Sequence, residues 1–409
     1  MARSASPMIV FDDGRGQLGP MTDLRAAFEV RTGVMTTAGR LAAAFPRALA
    51  GYWVPEAKLA LVAARANGPV NRIPESESVF LASGRWARPD AHDAIPTLGP
   101  GEAWLEAVTG DVIAAELRRA DAEYFLTTGE LPERVHRHES ADRRLYRHPW
   151  DVLADVRGTI AHDIEQAVMP NAVVAHDVAT VVGDHPVIIH PTATIGANVV
   201  LDATAGPILV QERAVVRHAA VLCGPVSIGS DAVVNDQSLI KSGTVIGRSC
   251  KVGGEIGGTI FQGSANKSHD GHLGDSWVGK WANLGAGTTN SNLLNTYGPV
   301  VVRTEPDGPR SRSGLTFCGA FIGDHVKTAI STRIMTGTVL GTGAMIASSA
   351  PPPSTTRRFA WITDDGERPY RLEKFLEVMQ TVMARRKKIP AEAYIDAVAE
   401  LHQRWTSGG

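Results

Sequence analysis

Residues 226–253 read VSIGSDAVVNDQSLIKSGTVIGRSCKVG. An aliphatic residue stands at every sixth position, Ile228, Val234, Ile240, Ile246 and Val252, and glycine follows three of the five. A period of six fits neither the 3.6-residue repeat of an α-helix nor the two-residue alternation of a plain strand. It is the pattern of a solenoid in which each hexad is one short strand plus a turn. The aliphatic residue points into the bore, and the small residue after it lets the chain round a tight corner. One rung cannot bury its own apolar face, so such a fold is stable only as a stack.

The same period continues on both sides. Ile189, Ile195 and Leu201 precede it; Val278, Leu284, Ile322, Ile334, Leu340 and Ile346 follow. These residues place a β-helix over 186–348. Two stretches break the pattern: the polar run GGTIFQGSANKSHDGH at 257–272, and NSNLLNTYGPVVVRTEPDGPRSRSG at 290–314. Insertions on a rigid scaffold are where function concentrates.

The flanking chain reads differently. Residues 1–160 have the texture of an α/β domain, with a strand at Met8–Phe11 running into the turn DDGRG and amphipathic helical patterns near 36–50 and 103–120. A helical stretch from Pro149 leads into a connector over 161–185. Residues 349–409 form a Pro-rich exit, APPPSTTRR, and two helices between Arg371 and Trp405, with a stop at Ile389-Pro390. A chain of 409 residues, 44% hydrophobic and 21% charged, is expected to fold into two or three units. A formal charge of -2 leaves no electrostatic footprint for nucleic acid or an anionic membrane. No window approaches the ~18 apolar residues of a membrane span, and MARSASPMIVFDDG does not read as a signal peptide. Cys223, Cys250 and Cys318 are too scattered for a disulfide framework or a metal site, and are expected to be small buried thiols in a reducing cytoplasm.

The densest polar cluster is NKSHDGHLGDSWVGKWANLGAGTTNSN, residues 266–292. His269 stands four residues before Leu273-Gly274-Asp275, which is followed by Asn283-Leu284-Gly285-Ala286-Gly287-Thr288 and then Asn292. With PMT near the N-terminus and PWD before the solenoid, this spacing resembles a divergent branch of the GlmU family of bifunctional sugar-1-phosphate nucleotidyltransferase/acetyltransferases, within the hexapeptide-repeat acyltransferases. The resemblance implies a nucleotidyltransferase-like α/β domain followed by a left-handed parallel β-helix with C-terminal helices, assembled as a cytoplasmic homotrimer. It implies an acetyl-CoA-dependent N-acetyltransferase acting on a glucosamine 1-phosphate-like amino-sugar phosphate, in nucleotide-sugar and cell-envelope biosynthesis. Nucleotidyl transfer with Mg2+ is added if the first domain is active.

Acyl transfer from a thioester needs a base working near neutral pH, and imidazole suits that task. By resemblance His269 is that base. His272 falls where the family has a sugar-contacting tyrosine, and reads equally as substrate binding or polar filling. Asn283 and Asn292 match substrate-bonding positions, Asn283 being readable also as part of an asparagine ladder. Lys241 replaces the family's phosphate-binding arginine. The family's lysine falls on Gly257, leaving Lys267 either to compensate or to be a solvated loop residue. Ala286, Ile330 and Ser348 match backbone contacts to the coenzyme, and Arg357 or Arg358 its phosphates. In the first domain Gly14, Arg15 and Arg25 are the nucleotide candidates, but G-x-G-T-R-M is absent and Met21 follows Pro20 in place of lysine, so an inactive domain is an equal alternative. Two other classes compete: a zinc hydro-lyase like the γ-class carbonic anhydrases, and a non-catalytic trimerising module. The first needs three histidines, and none lies between His218 and His269; no metal site is expected.

Overall fold

The computed structural model describes residues 5–45, 47–89, 97–166 and 179–406. The chain divides into two compact units: one runs to His148, and the other takes in Pro149 onward together with the short segments Gly19–Asp23 and Arg31–Val34. Residues 167–178, within the expected connector, lie outside the described residues.

The first unit is built on a six-stranded sheet of β1 (Met8–Phe11), β2 (Leu49–Trp53), β3 (Ser78–Ser83), β4 (Glu102–Glu106), β5 (Val112–Arg118) and β6 (His136–Ser140), in the order β2-β1-β3-β5-β4-β6. Strand β1 is a continuous apolar run buried on both faces, as a central strand flanked by parallel neighbours requires. Helices α1 (Thr37–Ala44), α2 (Glu56–Ala63) and α3 (Arg119–Thr128) complete the unit. Thr36 caps α1 by accepting from the Gly39 amide at 3.2 Å, and Gly129 ends α3 in the left-handed conformation. The helix expected near 103–120 is instead β4, a turn at Thr109-Gly110, and β5. Ala103 and Ala115 face each other across that antiparallel pair, so the apolar residues that mimic a helical stripe fill the sheet's core face.

Pro149–Ala154 (α4) and Val156–Gln166 (α5) open the second unit, and the β-helix follows. Its three faces are parallel sheets. One has eight strands, from Val187–Ile189 up to Thr338–Leu340. The second runs from Ala179–Val182 to His272–Gly274. The third runs from Thr194–Ile195 to Asn266–Lys267 and continues through the bridges Asn266↔Asn283↔Lys327 into Met345–Ile346 and Ala360–Thr363. Every aliphatic residue of the hexad series is buried in one continuous core that fills the bore, and each fully buried one contributes roughly 1.5–3 kcal/mol. The expected β-helix is borne out.

One corner of the column, between the third and second faces, is turned in rung after rung by a residue with positive φ: Ala219, Gln237, Gly254, Gly271, Gly287 and Ser331. Gly271 must be glycine there, because a Cβ would lie 2.2 Å from the Thr288 carbonyl oxygen of the next rung. The C-terminal helices are α6 (Leu372–Ala384) and α7 (Glu392–Thr406), the two expected. Near them Arg386 donates to the Asn266 side chain at 2.6 Å, and the Tyr394 hydroxyl and His325 Nε2 are 2.8 Å apart.

Candidate active site

The polar run 257–272, expected as an insertion, is a complete rung in register. Ile260–Phe261 pairs with its neighbours above and below, and Lys251-Val252 pairs with Asn266-Lys267. The hexads are disguised because the inward position next to Val252 is filled by Lys267. This lysine is 1% exposed. Its ammonium crosses to the corner and donates to the carbonyl oxygens of Gly253 (3.2 Å), His269 (2.7 Å) and Asp270 (3.2 Å). Burial lowers its pKa to about 8. Lys267 is therefore neither a solvated loop residue nor a phosphate contact; it is a bore residue that ties down the backbone of the His269 corner. The bore is polar at the next inward positions as well. Asn290 exchanges hydrogen bonds with both the amide and the carbonyl of Gly274 at 2.8 and 2.9 Å, and the Thr288 and Thr328 hydroxyls meet at 2.8 Å.

His269 itself stands on the exposed corner between the strands Asn266–Lys267 and His272–Gly274. Among the described residues its imidazole has no hydrogen-bond partner within the chain. Successive rungs place three other candidates on the same corner: Ala286 in the turn Gly285–Gly287, Ile330 in Ala329–Ser331, and Ser348 after Ile346. The Ser331 amide donates to the Ala286 carbonyl at 2.6 Å, and the Ala329 amide to that of Ile346 at 2.8 Å, so the turns stack. Ile330 projects its side chain outward, 75% exposed. Residues separated by up to 79 positions thus form one axial strip, with rungs ~4.8 Å apart.

The second face adjoins this corner and carries Lys241, Glu255, His272, Asp275 and Asn292. Lys241 packs over Gly257 and its ammonium is hydrogen-bonded to Glu255, which holds that carboxyl below the usual range. His272 Nδ1 lies 3.4 Å from the same carboxylate. Asn292 donates to Asp275 at 2.6 Å; burial nevertheless pushes the Asp275 carboxyl up. Burial, with Asp275 adding to it, drives the nearby Cys318 thiol to about 12, so it stays protonated. Cys250 is buried as expected, while Cys223 is half-buried. Asn283 is on the third face, where the Asn266 amide donates to it at 3.2 Å and Lys327 is its ladder neighbour. Burial lowers the Lys327 pKa to about 8. Sequence reading did not single out Lys327, because nothing in its local pattern marks a lysine that the stacking half-buries. Asn283 and Asn292 therefore stand on two faces, one to each side of His269.

Arg357 and Arg358 have opposite surroundings. The Arg358 side chain is 2% exposed, bidentate on Asp23 at 3.0 and 3.1 Å, hydrogen-bonded to Glu305, and stacked over Trp405 at 4.3 Å. It has no freedom to meet a ligand. Arg357 is 55% exposed, and among the described residues its one carboxylate neighbour is Asp307 at 3.9 Å.

In the first unit, the switch point of the sheet lies at the carboxyl ends of β1 and β3, where open α/β sheets bind ligands. The loop amides that would cradle a phosphate are taken by its own carboxylates: the Gly14 amide donates to Asp12 at 3.1 Å and the Arg15 amide to Asp13 at 3.0 Å. Arg85 bridges Asp13 (2.5 Å) and Asp111 (2.7 Å), Arg15 pairs with Asp111 (3.0 Å), and Lys58 with Asp12 (3.0 Å). Burial works to raise the Asp12 carboxyl, but Lys58 and the Ala27 and Gly14 amides outweigh it and hold it low. Arg25, expected to face a nucleotide, is 3% exposed and is withdrawn from that role by burial. Among the described residues no group of three or more His, Cys, Asp or Glu is placed to hold a metal ion, and no helix is long and apolar enough to cross a membrane.

Residues 8–168 match the family described as sugar nucleotidyl transferase. A bifunctional sugar-1-phosphate nucleotidylyltransferase/acetyltransferase of Sulfurisphaera tokodaii is 30% identical over 147 residues, 36% of this chain and 36% of that protein. The bifunctional protein GlmU of Methanococcus aeolicus is 31% identical over 157 residues, 38% and 37% of the two chains. GlmU of Thermotoga maritima is 30% identical over 129 residues, 31% and 26%. The match thus spans between about a quarter and just over a third of these relatives' own length. A solved UDP-N-acetylglucosamine acyltransferase covers 58% of this chain and 90% of its own at 10% identity, with a TM-score of 0.16, too low to support an argument. The resemblance first drawn from residues 266–292 is thus borne out as a similarity to GlmU-type bifunctional proteins.

Proposed function

We propose that this protein is an acetyl-CoA-dependent acyltransferase acting on an amino-sugar phosphate, with His269 as its general base. The observation that carries the reading is the exposed imidazole, without a hydrogen-bond partner among the described residues, on a corner whose backbone is pinned from inside by Lys267. Preorganisation of this kind is what a proton-transfer group needs, since a misplacement of about 1 Å costs ~100-fold in rate.

The residues present suit the coenzyme. Small Ala286 and Ser348, with the outward Ile330, give a strip along the column for a pantetheine chain, and Arg357, exposed beside Gly341 at the opposite edge of the third face, is a cation available to a phosphate. A bound thioester supplies the activated acyl group. His269 takes a proton from the acceptor nitrogen as that nitrogen bonds to the acyl carbon. The carbon–sulfur bond breaks, and His269 returns the proton to the departing thiolate, so charge and atoms balance. Lys241, His272 and Asn292 on one side of the corner, and Asn283 on the other, hold the acceptor and its phosphate. Assembly as a homotrimer, which sets neighbouring columns side by side, is part of the same proposal.

For the first unit the reading differs. Asp12, Asp13 and Asp111 are each engaged by an arginine or lysine, so they do not fit Mg2+, and no nucleotidyl-transfer step is assigned to them.

The test is thiol release from acetyl-CoA with a panel of hexosamine 1-phosphates, comparing wild type with His269→Ala. Turnover is expected in the wild type and a loss of about 10²–10⁴-fold in the variant, with unchanged thermal unfolding. Equal rates in the two proteins would remove His269 from the chemistry. Pyrophosphate release from UTP or dTTP with a sugar 1-phosphate is expected to be silent, and turnover there would restore the first unit as an enzyme.

A further inference from the structure

The insertion at 290–314 contains a small antiparallel hairpin, Val301–Val302 against Ser311–Arg312, whose arginines the acyl-transfer reading does not use. Thr355 fixes it to the chain leaving the column by donating to the Arg303 carbonyl at 2.8 Å. Arg303, Arg310 and Arg312 line one cavity of about 440 Å3, together with Val301, Gly337 and Ser354.

Among the described residues nothing neutralises these three charges. Of the carboxylates in the insertion, Glu305 is bound by the buried Arg358, and Asp307 is exposed with Arg357 at 3.9 Å. Among the described residues none of the three guanidiniums pairs with a carboxylate. Arg303 donates through Nη1 to the Pro306 carbonyl at 2.7 Å, and its Nε is buried with no partner at all. Three like charges lining one concavity repel one another, and a buried donor without an acceptor is costly. An anion in the cavity removes the repulsion between the three charges. The guanidinium is a planar fork of donors that matches phosphate oxygens two at a time, which is why arginine clusters recognise phosphate.

We propose that this cavity is a phosphate-binding site, taking the phosphomonoester or diphosphate group of a ligand through Arg303, Arg310 and Arg312, with the Ser354 hydroxyl as a further donor. The hairpin lies between Thr289–Asn290 and Ala320–Ile322, a different corner of the column from the one that carries His269, and binding there requires no turnover, so the site succeeds or fails independently of the acyl-transfer reading.

The test is isothermal titration of the full chain with inorganic pyrophosphate and, separately, adenosine 3',5'-bisphosphate, using wild type, Arg310→Ala, Arg312→Ala and the double variant. Arg310 and Arg312 are exposed, so the variants are expected to unfold at the wild-type temperature. Binding is expected to weaken by about tenfold or more for each arginine removed and to fall as salt is raised. Tighter binding of the bisphosphate identifies the nucleotide end of a coenzyme as the source of the phosphate, and the opposite order identifies a free polyphosphate; either supports the site. Absence of heat at millimolar ligand, or equal titrations of wild type and the double variant, would overturn the proposal.

Discussion

Replacing Lys267 by methionine keeps the length of the side chain in the bore and removes its charge. In the folded protein the ammonium is buried and its pKa falls from 10.5 to about 8, whereas in the unfolded chain it is solvated. The folded state therefore disfavours the charged form. Below pH 8 both states are protonated and the full cost is present; above 8 the folded protein loses its proton first, so wild-type stability rises with pH until the unfolded chain titrates near 10.5. At ~1.4 kcal/mol per pH unit, the wild type should gain about 2–3 kcal/mol between pH 7 and pH 10 from this residue alone. Lys267→Met lacks that gain. Against it, the substitution leaves the Gly253, His269 and Asp270 carbonyls without their donor, at roughly 1 kcal/mol each. The assay is urea unfolding of both proteins at pH 7 and pH 10, with other titrating groups such as Lys327 cancelling in the difference. The variant should be disadvantaged by about 2–3 kcal/mol more at pH 10 than at pH 7. Its kcat should also fall more than its KM rises, because the corner under His269 is no longer held. Parallel stabilities at the two pH values would show that Lys267 titrates as a solvated lysine, and an unchanged kcat would show that its three hydrogen bonds do not position the histidine.

Further substitutions separate structure from function. Gly271→Ala, at φ +113° with a Cβ 2.2 Å from the Thr288 carbonyl, should lower stability by more than ~1 kcal/mol, read as a drop in Tm; an unchanged Tm would mean that the corner yields freely. Arg358→Ala strands Asp23 and leaves Glu305 without its cation, so a loss of ~3–5 kcal/mol is expected in urea unfolding. Arg357→Ala should stay within ~0.5 kcal/mol of wild type and show itself only as a raised KM for acetyl-CoA. Equal effects of the two arginine variants on stability would refute the contrast drawn between them. Asn292→Ala should raise KM for the sugar phosphate about tenfold with a smaller change in kcat, and a variant that kept KM while losing kcat would move Asn292 from binding to chemistry.

The column was legible in the sequence because its energetics are local and repetitive. A residue that faces the bore must be apolar in nearly every rung, so Ile228, Val234, Ile240 and their counterparts announce the fold without reference to anything distant. The β-helix comes from that signal and the two C-terminal helices from helical periodicity, whereas the motif around His269 was legible only as a spacing that resembles a known family. Where the bore turns polar, the signal fails. Lys267 occupies an inward position but reads as a surface residue, and the rung around it therefore reads as an insertion; only the stacking of Gly253, His269 and Asp270 around its ammonium shows what it does. The stretch 103–120 failed for a related reason, since an amphipathic pattern cannot tell a helix from two strands whose apolar faces meet across a pairing. Arg357 and Arg358 are neighbours of one residue type, and no local rule separates them. Asp23, 335 residues away, decides that one is locked in an ion-pair network and the other left to solvent. Sequence by itself determined what repeats along the chain. The tertiary structure decided which charges are buried, because burial and pairing depend on groups brought together from opposite ends of it.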